Sequence, residues 1–128
     1  MATTKTRWRG DEFPITSIPQ ILSPGYYVAR AGHFFKAFNL TVVVAYADSS
    51  VDGFEGCQIF AQLDSKVTAD DGSCILACPG SHVIAKPGSN VRVQKGADVV
   101  AFTDSNIFLE PGATFTPNGK PNVFHVHE

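Results

Sequence analysis

The chain has 128 residues, enough for one domain, and its 44% hydrophobic and 17% charged residues are a globular composition. Ten Lys+Arg against twelve Asp+Glu leave a net charge of −2, so no basic field draws the chain to nucleic acid. No apolar run approaches the ~20 residues of a membrane-spanning helix.

The first 24 residues carry Pro14, Pro19 and Pro24, and Trp8 stands between Arg7 and Arg9. They read as an extended arm. Its apolar residues Phe13, Ile15, Ile18, Ile21 and Leu22 need a surface to dock on, with Trp8. The arm either caps the body of the chain or reaches a neighbouring subunit.

From Gly25 to Glu128 the sequence divides without insertion into thirteen blocks of eight. The third place of every block is apolar, from Tyr27, Phe35 and Val43 to Phe115 and Val123. The fifth is Ala in eight blocks, and the first is small in eleven, with His33 and Pro121 as exceptions. The eighth is Gly or Asp in ten. Places one, three and five share one face of a short strand, because side chains alternate with period two. That face is small, β-branched and small again, which suits a narrow interior between stacked strands. Places six to eight hold turn formers such as Pro79-Gly80, Pro87-Gly88 and Thr103-Asp104. The predicted fold is an all-β β-solenoid over 25–128, with 1–24 as arm or cap.

The outward fourth place alternates. Every second block offers Val28, Val44, Phe60, Leu76, Arg92, Phe108 and Phe124, six of the seven apolar; the intervening blocks offer Lys36, Asp52, Thr68, Ile84, Val100 and Thr116, two of the six apolar. This 16-residue super-period predicts two strands per coil and one face with an apolar ladder. A ladder of that length implies a partner surface and, with the arm, a homo-oligomer.

Possible chemistry is sparse. His125 and His127, two apart in a predicted strand, point to one side, by phase the inward one. One chain offers two ligands, and three copies around an axis would offer six, enough for one iron or a similar ion. Cys57 falls in the small first column and reads as a buried hydrophobe, whereas Cys74 and Cys78 stand outward, too far apart for a disulfide. His82, also outward, reads as solvated. Asp48 and Asp64 share the eighth place sixteen residues apart, where turn chemistry accounts for both. No outward place carries recurrent paired carboxylates, so an enzyme is not expected. The opening Met-Ala-Thr-Thr-Lys lacks a signal peptide's apolar core, and three cysteines fit a reducing compartment, so cytoplasmic synthesis is expected.

The uninterrupted octads and the terminal His125-Val126-His127 resemble the octapeptide-repeat β-helix of the trimeric cell-puncturing spikes of contractile-tailed phages. The resemblance implies an intertwined trimer, the alternative to a two-strand coil, and an axial iron held at the C-terminal tip by His125 and His127. It further implies membrane contact through the spike's tip. That family's repeat favours Val-x-Gly, matched here only by Val51-Asp52-Gly53, whereas Val-x-Ala dominates. The octads also resemble bacterial and phage Ser-x-Val-x-Ala solenoid repeats. Together these features predict a non-enzymatic virion component, a tail-tip spike or capsid decoration protein, partnered by other virion proteins. The alternative is a binding module that displays the ladder to a protein or glycan.

Overall fold

The octad turns the chain through one corner every eight residues, and two corners close a coil. The computed structural model describes the side chains of residues 20–126, together with the backbone of Trp8 and Arg9. Strands β1 (Trp8–Arg9), β3 (Gly25–Ala29), β5 (Thr41–Ala45), β7 (Gln58–Ala61), β9 (Cys74–Ala77), β11 (Asn90–Val93), β13 (Asn106–Leu109) and β15 (Asn122–His125) stack in that order as one parallel sheet. The second sheet stacks β2 (Gln20–Ile21), β4 (Phe34–Ala37), β6 (Ser50–Gly53), β8 (Lys66–Ala69), β10 (His82–Ala85), β12 (Asp98–Phe102) and β14 (Thr116–Asn118). No α-helix occurs among the described residues.

Pairing holds a constant offset of sixteen residues through the body, as in Val43 against Ile59, Ile59 against Ile75 and Val83 against Val99. Each coil therefore closes within one chain. Of the two coil geometries open to the sequence, the two-strand single-chain coil is the one formed, not the intertwined weave. The interior is built from the expected columns. Tyr27, Phe35, Val51, Ile59, Val83 and Ile107 fill the third place, with Ala37, Ala61 and Ala85 beside them, all buried. Small residues at places one and five let the two sheets close over the larger third-place side chains.

The corners have a single chemistry. Every eighth-place residue from Gly32 to Gly112 has positive φ, including the non-glycines Leu40, Asp48, Asp64 and Asp104. The first-place N–H of the next block donates to the sixth-place carbonyl, as Ser81 N does to Cys78 O at 3.0 Å. Positive φ at the third turn residue, with Pro before Gly in three corners, is the type II pattern. Corners also bond to one another along the axis: Asp48 N donates to Asp64 O, Asp64 N to Gly80 O and Gly80 N to Gly96 O, at 2.9–3.0 Å.

The first column does more than keep the corner small. Ser49, Ser65, Ser73, Ser81, Ser89 and Ser105 are fully buried, and each Oγ donates to the carbonyl three residues back at 2.6–2.7 Å. Thr41 makes the same bond to Phe38 O. The exceptional His33 keeps the corner by another route: Arg30 N donates to its Nδ1 at 2.9 Å, and its ring stacks on Phe35. Buried polar atoms require such partners. Cys57 occupies the same column without exposure, and burial pushes its thiol up to about 11.

At the N-terminal end the arm joins the walls. Trp8 and Arg9 pair with Tyr26 and Tyr27 of β3, and Gln20 and Ile21 pair with Phe35 and Lys36 of β4. These offsets of eighteen and fifteen residues fall out of phase with the octads. Leu22 enters the core, and its N–H donates to Lys36 O at 3.0 Å. Phe13, Ile15 and Ile18 lie outside the described residues.

Candidate functional site

All seven ladder residues fall on the outer face of the first sheet, in register and one per coil. Val28 pairs with Val44, Val44 with Phe60 and Phe60 with Leu76. Leu76 then pairs with Arg92, Arg92 with Phe108 and Phe108 with Phe124. Alternation within each strand turns them outward while their neighbours fill the core. The stacked coils half-bury Val28, Val44, Phe60, Leu76 and Phe108 against one another, whereas Arg92 and the terminal Phe124 stand exposed. The ladder is thus a continuous ridge and not a set of separate hydrophobes. Phe108 and Phe124 stack with centroids 4.9 Å apart. Arg92 interrupts the apolar run, and its Nε donates to Glu110 Oε2 at 2.6 Å. A shallow groove of about 290 Å³ runs beside Phe60, Leu76, Arg92 and Phe108.

Along the same face the second place forms a polar rail. Asn106 Nδ2 donates to Asn90 Oδ1, and Asn122 Nδ2 to Asn106 Oδ1, both at 3.0 Å. An amide ladder of this kind repeats one bond from coil to coil and ties the last coil to the body. Cys74, exposed, continues the rail toward the N-terminus, and Cys78, half-buried, lies just beyond the other end of the same strand. Burial, with Glu110 nearby, pushes the Cys78 thiol up.

The opposite face is mixed. Lys66, His82 and Asp98 form one second-place column, and His82 Nδ1 lies 3.1 Å from Asp98 Oδ2. The column borders a groove of about 500 Å³ whose other wall includes Asp52, Thr68 and Ile84. Burial raises the Asp52 carboxyl above its ordinary range, and the charge of Asp70 adds to this; Lys36, Lys86 and a hydrogen bond from Thr68 oppose it. In the sequence His82 and Asp98 are two outward residues sixteen apart, and hydropathy alone does not single them out. The pair is well exposed on both sides and contributes little to stability.

His125 ends β15, opposite Leu109 of β13, and is exposed because no described coil covers it. His127 lies outside the described residues. Among the described residues no three His, Cys, Asp or Glu side chains gather to hold an ion. Asp48 and Asp64, with φ of 66° and 64°, serve as corner residues. No helix among the described residues is long and apolar enough to cross a membrane. Comparison with protein families, curated proteins and solved structures finds no match to this chain.

Proposed function

We propose that this protein is a non-enzymatic structural assembly protein that works as a homo-oligomer through its ladder face, in the setting of a phage-type virion. A tail-tip spike or a capsid decoration protein is the form that the octad resemblance favours. The single observation that supports the reading is the in-register ridge from Val28 to Phe124, set on a closed and uniformly bonded rod. Such a ridge is costly to leave in water and suits burial against a protein. Other virion proteins are the remaining expected partners, after synthesis in the host cytoplasm, and a net charge of −2 argues against nucleic acid.

The spike form carries a further requirement. An axial iron at His125 and His127 needs three copies around one axis, because one chain brings two imidazoles at most. Membrane contact belongs to that form alone. A second reading, a binding module for a protein or glycan, draws on the groove beside Phe60 and Leu76.

Native mass spectrometry of untreated protein, with Phe108→Asp beside it, separates these readings. Assembly predicts an oligomer that Phe108→Asp dissociates, and a trimer with one iron selects the spike. A binding module predicts an unchanged oligomeric state and loss of the ligand. If Phe108→Asp alters neither, the ladder has no such role.

A further inference from the structure

The order of residues along the ladder specifies how two copies meet. Seven rungs place Leu76 at the centre, with three on either side. The small rungs, Val28 and Val44, lie at the N-terminal end, and the large ones, Phe108 and Phe124, at the C-terminal end. The ladder's only charge, Arg92, stands one coil beyond Leu76, and Phe60 stands one coil before it.

Two isologous face-to-face arrangements are available to such a sheet. In one, the two-fold axis runs along the solenoid, and every rung meets its own copy. Arg92 then faces Arg92, each held by its own Glu110, so two like groups meet with no complementary group from the other copy between them. Phe108 and Phe124 also crowd against themselves while the valines leave a gap. In the other, the axis runs along β9, the solenoids are antiparallel, and each rung meets its mirror about Leu76. Val28 then faces Phe124 and Val44 faces Phe108, so every pair sums to similar bulk. Phe60 faces Arg92, whose guanidinium lies over an aromatic ring and away from its own copy. Leu76 meets Leu76 on the axis. The flanking sixth-place column places Gln62 opposite Gln94 in the same operation.

The geometry points to a second copy of this chain as the occupant of the ladder face, docked antiparallel about a two-fold axis through β9. This inference rests on the reading of the ladder as an assembly face and specifies the partner. It has a local consequence. Cys74 projects from the same face as Leu76 and lies beside the axis line in β9, so it meets Cys74 of the other copy across a gap set by sheet packing, about 10 Å between backbones. The axis along the solenoid would instead bring Cys74 to Cys78 of the other copy, because it exchanges the second and sixth columns.

Reaction with a short bismaleimide at neutral pH reads this directly, with sedimentation equilibrium on the same samples. Cys57 stays silent, since it is buried and its thiol is held up at about 11. The expected result is a sedimenting dimer whose cross-link survives Cys78→Ser and survives Cys74→Ser as well, because Cys78 meets its own copy across the same axis; it disappears in the double variant and is lost with the dimer in Leu76→Arg. Circular dichroism confirms that each variant folds, and Arg92→Leu, which keeps the face apolar, should retain the Cys74 cross-link if Leu76→Arg unfolds. A dimer whose cross-link is lost in Cys78→Ser overturns the antiparallel docking and leaves the assembly reading intact. A trimer or higher oligomer broken by Leu76→Arg does the same. A monomer at every concentration overturns both.

Discussion

The middle coils and the last coil carry the same octad and reach opposite states. Val83 and Val99, third-place residues of the second sheet, are each 1% exposed; Val123, third-place in β15, is 38% exposed. Ala85 and Ala101 are sealed in the fifth place, whereas His125 in that place stands open. For the valines, alike in all three coils, the difference lies in their neighbours. A middle coil is covered above and below, and β14 and β15 each have one described strand beside them. In a solenoid, burial is a property of the stack, and the repeat unit buries little alone.

The sharpest way to break that comparison is to put one large residue in equivalent places. Ala69→Phe overpacks a closed interior and should cost about 3 kcal/mol. His125→Phe, in the same column at the open end, should leave the melting temperature nearly unchanged. Equal losses from the two would mean that the last coil is as closed as the middle. A smaller version removes bulk: Val83→Ala should cost about 2 kcal/mol in urea unfolding, and Val123→Ala well under half of that.

The smallest effect concerns the outside of a middle coil. The Asp52 carboxyl is raised by burial between neighbouring coils, so the folded protein holds a proton there at a pH where the unfolded chain has lost it. Folded protein then binds more protons than unfolded, and stability falls as pH rises from the ordinary aspartate value through the raised one. Asp52→Asn should flatten that part of the stability curve and leave the neutral-pH melting temperature the same or slightly higher. Thermal melts across the acid range decide it, and an unchanged slope would mean that the outer groove is fully wet.

The inner columns, the corners and the two-strand coil are all legible in the sequence, because each leaves a hydropathy or backbone signature at fixed spacing. Gly and Asp at the eighth place report positive φ, and the alternation of Phe60 and Thr68 reports two different faces. The buried serines are legible only as small residues; their bonds to the corner carbonyls depend on a turn geometry that hydropathy does not carry. The Asn90–Asn106–Asn122 rail and the His82–Asp98 pair are hidden for a related reason. Polar residues sixteen apart look like ordinary surface until the coil length is applied to every outward column. The arm reads as a cap or a tether, but its strand pairing is not legible, since Trp8 and Gln20 pair at offsets that break the octad phase.

The sixteen-residue register also governs how such a molecule can change length. Eight added residues would preserve every inner column and every corner, yet they would carry all downstream strands to the opposite sheet. Phe108 and Phe124 would then join the mixed column of Thr68, Ile84 and Val100 on the other face, and the ridge would be cut in two. Sixteen added residues lengthen the rod by one coil, about 4.8 Å, and keep the ridge whole. The inheritable unit is therefore the double block, and each whole-coil duplication shifts the ridge's midpoint by half a coil. A ridge with an even number of rungs has its centre between two strands, so after a single duplication no rung would face its own copy across such a two-fold. If the ridge docks a second copy as proposed, length and partner choice become one variable in this architecture.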